Sequence, residues 1–244
     1  MVPRKVHVCW PNREILRSES PLVLNGLRNM VDMNPEWNVI LYEDRDVERE
    51  LESYLGRDDY RALLADCRFV EKSDLWRLYK MHLEGGIYVD VDRFCNVPLS
   101  DVVGDAMCVL PTCADLDFSQ DIMITASGNP IHRRAIEMVL ERRAHGFRST
   151  YFLGPQTYMH AVTTELVGYQ LDTNPGKEKF DEVRAKLAEM PFIRTYREHP
   201  PYDTVLYRHD PSKFLTEPDG ITDWETLKRR LYAEHGLRHW SGEW

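Results

Sequence analysis

The stretch from Lys72 to Leu99, KSDLWRLYKMHLEGGIYVDVDRFCNVPL, constrains this chain more than any other. Leu75, Leu78, Tyr79 and Leu83 recur at helical spacing, so 72–84 is expected to be a helix, with Ser73 as its cap. Gly85-Gly86 stops that helix. Ile87, Tyr88 and Val89 then form a short apolar run that leads directly into Asp90-Val91-Asp92. A helix halted by glycines and followed at once by a buried strand is a joint of an α/β fold. Side chains alternate along a strand, so Asp90 and Asp92 are expected on one side. Two carboxylates that close repel unless a cation or a proton lies between them. Hard oxygen ligands suit Mg²⁺ or Mn²⁺, and ligands of α/β sheets bind at the carboxyl ends of strands. An exposed Asp-x-Asp turn carries the same triplet, so the triplet alone does not decide.

Asp74 and Arg77 lie three residues apart at the edge of the helix's apolar arc. Two readings stand. One is a surface ion pair worth about 0.2–0.5 kcal/mol. The other is a carboxylate that accepts hydroxyl hydrogen bonds beside a guanidinium that binds phosphate oxygen.

The rest of the chain extends the α/β pattern. Val6, Val8 and Trp10 alternate in a first strand, and Ser20-Pro21 opens a helix through Leu24, Leu27, Met30 and Val31. Residues 38–42 form a second strand, and Val47, Leu51, Tyr54 and Leu55 mark another helix, with a short one over 60–65. Strands are expected at 107–110 and 122–125. Helices are expected from Asn129-Pro130 to Arg143, from Gly154-Pro155 onward, over 178–190 and over 223–235. Residues 202–208 look extended, within a proline-rich loop spanning 198–220. Strands alternating with helices predict a mixed, mostly parallel sheet flanked by helices, in a single domain over 1–244.

Composition excludes classes without choosing one. The 244 residues are 43% hydrophobic, enough for a sizeable core, and 31 Lys+Arg against 40 Asp+Glu leave a net charge of −9. Nucleic acid and anionic membranes select basic footprints, so neither is an expected partner. No apolar run approaches the ~20 residues of a membrane span. The N-terminus does not resemble a signal peptide, which predicts a cytoplasmic protein. Cys9, Cys67, Cys95, Cys108 and Cys113 lack CxxC spacing and suit buried reduced thiols.

Asp74, Arg77, Gly85-Gly86, Tyr88, Asp90, Asp92 and Pro98-Leu99 together resemble the DXD region of glycosyltransferase family 32. That family includes mannosyltransferases, capsular-polysaccharide transferases and glucosylating toxin domains. Its pattern is Ser-Asp-x-x-Arg, a helix, Gly-Gly-x-Tyr-x-Asp-x-Asp, then Pro-Leu. Residues 2–10, with His7 and Trp10, resemble its opening strand, and residues 35–44 its second strand. Gly128-Asn129-Pro130 and Gly154-Pro155 fall in family-like order.

The resemblance implies a GT-A fold and a retaining hexosyltransferase working from a nucleotide-diphosphate sugar, UDP rather than GDP, in polysaccharide biosynthesis. Glycans, glycolipids or glycoproteins are the implied acceptors. Asp90 and Asp92 would hold Mn²⁺ or Mg²⁺ on the diphosphate, with His239 as third ligand; Ser241 or Glu243 are the alternatives, since Glu243 stands where the family has serine. Asp74 and Arg77 would contact donor sugar and phosphate, and Trp244 the phosphates. Val8, Trp10 and Val91 would line the nucleotide, with Trp10 either stacked on the base or packed in the core. Asp121 is the candidate nucleophile, or it orients donor or acceptor. The acceptor site would draw on 154–158 and the proline-rich loop. Two other readings remain. A haloacid-dehalogenase-like phosphatase also ends a strand in Asp-x-Asp, although Phe94 stands where it has Thr or Val. A non-catalytic nucleotide-sugar-binding module is the other.

Overall fold

Alternation along the first strand, β1 (Lys5–Cys9), sends Val6 and Val8 into one hydrophobic core and Cys9 into another. A computed structural model describes residues 1–95, 97–113, 117–118, 120–168, 177–190, 193–197, 206–207 and 224–237. After β1, a 3-10 turn (Arg13–Arg17) leads to a continuous helical stretch of α1 (Pro21–Val23), a π-helical segment (Leu24–Arg28) and α2 (Asn29–Met33). Then follow β2 (Asn38–Tyr42), α3 (Asp44–Leu55), α4 (Arg57–Leu64), α5 (Phe69–Leu83), β3 (Gly86–Val89), β4 (Phe94–Cys95) and α6 (Leu99–Val103). The second half adds β5 (Cys108–Cys113), β6 (Asp117–Phe118), β7 (Ile122–Thr125), α7 (Pro130–Ala144), α8 (Thr150–Leu153), α9 (Pro155–Val167) and α10 (Lys177–Ala188). β8 (Ile193–Arg197), β9 (Leu206–Tyr207) and α11 (Trp224–Glu234) complete it.

The main sheet runs in the order β2-β1-β3-β7-β5-β6, with β8 on the other edge of β5. β1, β2, β3, β5 and β8 run one way, and β6 and β7 the other. Ile87, Val89, Ile122, Ile124 and Val109 face the same core as Val6 and Val8, covered by α1, α2, α6 and α11. Tyr88, Met123, Cys108 and Leu110 face the opposite core, covered by α3, α4, α5, α7, α9 and α10. The result is a three-layer α/β/α arrangement.

Two backbone features place the site. Gly85 and Gly86 have φ of 66° and 105°, and a Cβ on Gly86 would lie 2.7 Å from the Lys5 carbonyl. The helix stop is therefore also a close approach of β3 to β1 that only glycine permits. The second feature is a bulge. Continued from Val109–Ile124, the β5 register would set Thr112 opposite Asp121, but Thr112 pairs with Phe118. The extra residues fall between β6 and β7, and Gln120 and Asp121 among them lie at the end of β3.

Several expectations are corrected. α5 begins at Phe69, where Glu71 accepts the Arg68 N–H at 3.1 Å; Ser73 lies inside the helix, its hydroxyl donating to the Val70 carbonyl. Leu83 is exposed, while Asp74, Arg77 and Lys80 are buried. β3 ends at Val89, before either aspartate. β4, β6, β8, α6 and α8 have no strong sequence signal, being short or, for β8, interrupted by two arginines. Among the described residues no helix is long and apolar enough to cross a membrane. Cys9, Cys67, Cys95 and Cys108 are buried thiols.

Candidate active site

Asp90, Val91 and Asp92 form a turn at the carboxyl end of β3. The Arg93 N–H donates to the Asp90 carbonyl at 3.1 Å, and the Asp90 N–H donates to the Asp121 carbonyl at 2.9 Å. Gly26 of the π-helical segment backs the turn; a Cβ there would lie 2.8 Å from the Val91 carbonyl oxygen. Strand alternation therefore does not govern the two carboxylates, and they do not point the same way. Asp90 Oδ1 accepts from the Tyr88 hydroxyl at 2.8 Å and stands 3.5 Å from Arg77 Nη1, on the α5 side. Asp92 Oδ2 stands 3.1 Å from Lys228 Nζ, on the α11 side. Burial raises the Asp90 pKa, and repulsion from Asp121 and Asp92 adds to it against the pull of Arg77.

Arg77 ties the α5 side together. Its Nη2 lies 2.8 Å from Asp74 Oδ1, its Nη1 donates to the Gln120 carbonyl at 3.0 Å, and its guanidinium carbon sits 4.4 Å from the Tyr88 ring centroid. Asp74 and Arg77 are both buried, which removes the surface-pair reading. The Arg77 donors are spent on protein acceptors, so as placed it positions Asp74, Asp90 and the bulge. Burial pushes the Asp74 pKa up to about 6 despite Arg77, with Asp90 repulsion in the same direction. Gly154, where α9 begins, closes on this group: a Cβ there would fall 2.5 Å from Asp74 Oδ2 and 3.0 Å from Gln120 Oε1. Gln120 Nε2 is buried with no hydrogen-bond partner among the described residues. That orphaned donor beside a carboxylate suits a ligand oxygen.

Asp121 is clamped by a charge-assisted hydrogen bond from Arg93, itself buried. Trp10 is buried just after β1, with Tyr232 of α11 and His235 just beyond it edge-on at 5.5 and 5.7 Å, so it occupies the core as placed. Val8 and Val91 are likewise core residues. His239, Ser241, Glu243 and Trp244 lie outside the described residues, as does all of the proline-rich loop except Leu206 and Tyr207. Among the described residues no group of three or more His, Cys, Asp or Glu is arranged to hold a metal ion. Asp90 and Asp92 are hard oxygen donors of the kind Mg²⁺ or Mn²⁺ takes, so the donor chemistry fits, although as placed the two carboxylates face different helices.

Residues 21–110 match the glycosyltransferase sugar-binding region containing the DXD motif. That stretch holds Asp74, Arg77, Asp90 and Asp92. The chain is 23% identical over 173 residues to inositol phosphoceramide mannosyltransferase 1 of Schizosaccharomyces pombe, covering 69% of this chain and 51% of that protein. Inositol phosphoceramide mannosyltransferase 3 of the same organism is 23% identical over 133 residues, covering 53% and 35%. The chain thus spans about half the length, or less, of these curated relatives. The solved structure of PaToxG glycosyltransferase superposes with a TM-score of 0.55 at 17% identity, over 75% of this chain and 74% of that one. The fold is of the GT-A type.

Gln120, Arg93 and Lys228 stand at the candidate site without having been singled out in the sequence, where Tyr88 stood only as a strand and motif residue. Tyr88 and Arg93 flank the acidic triplet and were open to discovery from that position. Lys228 sits in a Lys-Arg-Arg run, and only its place beside buried Leu227 hinted that it turns inward.

Proposed function

We propose that this chain is a metal-dependent glycosyltransferase that moves a sugar from a UDP-linked donor to a hydroxyl acceptor with retention of configuration. The observation that carries this reading is the contact chain from buried Asp74 through buried Arg77 to half-buried Asp90 of the DXD turn, inside the stretch that matches the sugar-binding region.

Asp90 and Asp92, with His239, would hold Mn²⁺ or Mg²⁺, which supplies a Lewis acid that neutralises charge on the departing diphosphate. Arg77 holds Asp74 so that its free oxygen can accept a sugar hydroxyl. Gln120 Nε2 donates to an oxygen of the same sugar. Arg93 holds Asp121, which orients the donor. The acceptor oxygen forms its bond to the anomeric carbon on the face that the diphosphate leaves. Its proton passes to the departing phosphate oxygen, so the step needs no separate base. The curated relatives are named for inositol phosphoceramide, and a glycan or glycolipid is the acceptor class proposed here.

The test is a panel of UDP- and GDP-sugars incubated with the protein and Mn²⁺. Donor hydrolysis or transfer that stops on chelation is expected, as is its loss in Asp92→Asn. No turnover of any nucleotide sugar, or full activity in that variant, would overturn the reading. Release of phosphate from simple phosphoesters instead would favour a phosphatase.

A further inference from the structure

Lys228 brings a buried ammonium into the site from the far end of the sequence. Its Nζ lies 3.1 Å from Asp92 Oδ2, and the two side chains are 10% and 5% exposed. It is carried by α11, whose Leu227 and Leu231 are locked into the core under the sheet. The pairing changes what a divalent cation meets. Among the described residues the cluster holds Asp74, Asp90, Asp92 and Asp121 against Arg77, Arg93 and Lys228. Three fixed cations beside those carboxylates weaken the attraction for a free dication. That ion must also share Asp92 with an ammonium. A dication that carries a diphosphate brings negative charge of its own, which the same ammonium attracts.

Resting on the transferase reading, we propose that Lys228 is a positioning residue that keeps Asp92 from binding a free divalent ion tightly, so that metal and nucleoside diphosphate bind together. The coupling is reciprocal: each ligand tightens the other by the same factor. α11 thereby makes loading of the DXD turn conditional on the donor.

The test is Mn²⁺ titration of the purified chain, following free Mn²⁺ by electron paramagnetic resonance, with and without UDP. Lys228→Met is expected to bind Mn²⁺ alone about tenfold tighter than the unaltered chain, with a smaller gain on adding UDP. Lys228→Arg is expected to behave like the unaltered chain. In the absence of metal Lys228→Met should melt lower, and Mn²⁺ should raise its melting temperature more than that of the unaltered chain. A merely structural lysine would lower the melting temperature and leave Mn²⁺ affinity unchanged. If Lys228→Met does not fold, Lys228→Gln serves in its place. Equal or weaker Mn²⁺ binding without Lys228 overturns the proposal. Asp92→Asn separates the two failures. If it leaves Mn²⁺ binding intact, the transferase site reading itself fails. If it abolishes binding while Lys228→Met brings no gain, only the role of Lys228 falls.

Discussion

Arg77 Nη2 stands 2.8 Å from Asp74 Oδ1 one helical turn away, and both residues are buried. Deleting the cation leaves Asp74 and Asp90 without their shared counter-charge. Arg77→Met is therefore expected to destabilise the fold by about 3–5 kcal/mol in denaturant unfolding. Combining it with Asp74→Asn should recover part of that loss, because one uncompensated carboxylate is removed as well. Equal stability of Arg77→Met and the unaltered chain would show that the pair is not buried.

Gly154→Ala tests the packing of α9 on the site. A Cβ added there would fall 2.5 Å from Asp74 Oδ2. A loss of about 1–3 kcal/mol is expected, with slower donor turnover, as overpacking displaces the carboxylate. Unaltered melting and turnover would contradict the contact.

Gln120→Met separates substrate binding from stability. The Nε2 group has no partner to lose among the described residues, so stability should change by less than about 1 kcal/mol. The donor KM should rise while the melting temperature holds. A fall in stability with unchanged KM would make Gln120 a structural residue.

His7 makes the fold acid-sensitive. Its Nε2 lies 3.1 Å from the Gly85 carbonyl, which can only accept, so that nitrogen carries the proton and Nδ1 accepts from the Tyr42 hydroxyl. Burial lowers its pKa from 6.5 to about 4. Between those values the unfolded chain binds a proton that the folded chain does not, so stability falls as pH falls through that window. Up to about 3 kcal/mol should be lost from pH 7 to 4. His132, lowered to about 3, acts in the same direction, so the measurement is the difference between the unaltered chain and His7→Gln. Parallel stability–pH curves for the two would refute the assignment.

Local signals announced most of the framework. Residues 38–42 and 122–125 are strands as expected, because apolar β-branched runs between polar breaks leave no other good burial. Asn129 caps α7, its side chain accepting the Ile131 N–H at 3.0 Å, as Asn-Pro at a helix start predicts. Signals failed where pairing is non-local. β4 and β6 are two residues each and exist only through their partners. The β5 bulge depends on a register that no local pattern encodes.

By itself the sequence determined that Asp90 and Asp92 follow an apolar strand. A glycine pair, an apolar strand and two aspartates in succession leave the chain one place to put its acids, the carboxyl edge of an α/β sheet. Only the tertiary structure decided how those acids are held. The strand stops at Val89, and the turn that follows directs Asp90 to Arg77 and Asp92 to Lys228. The net charge of −9 belongs to the whole chain, whereas the candidate site pairs its carboxylates with cations drawn from α5, the turn and α11. Burial forces that pairing, because carboxylates removed from water must find counter-charges, and those arrive from wherever the fold brings them.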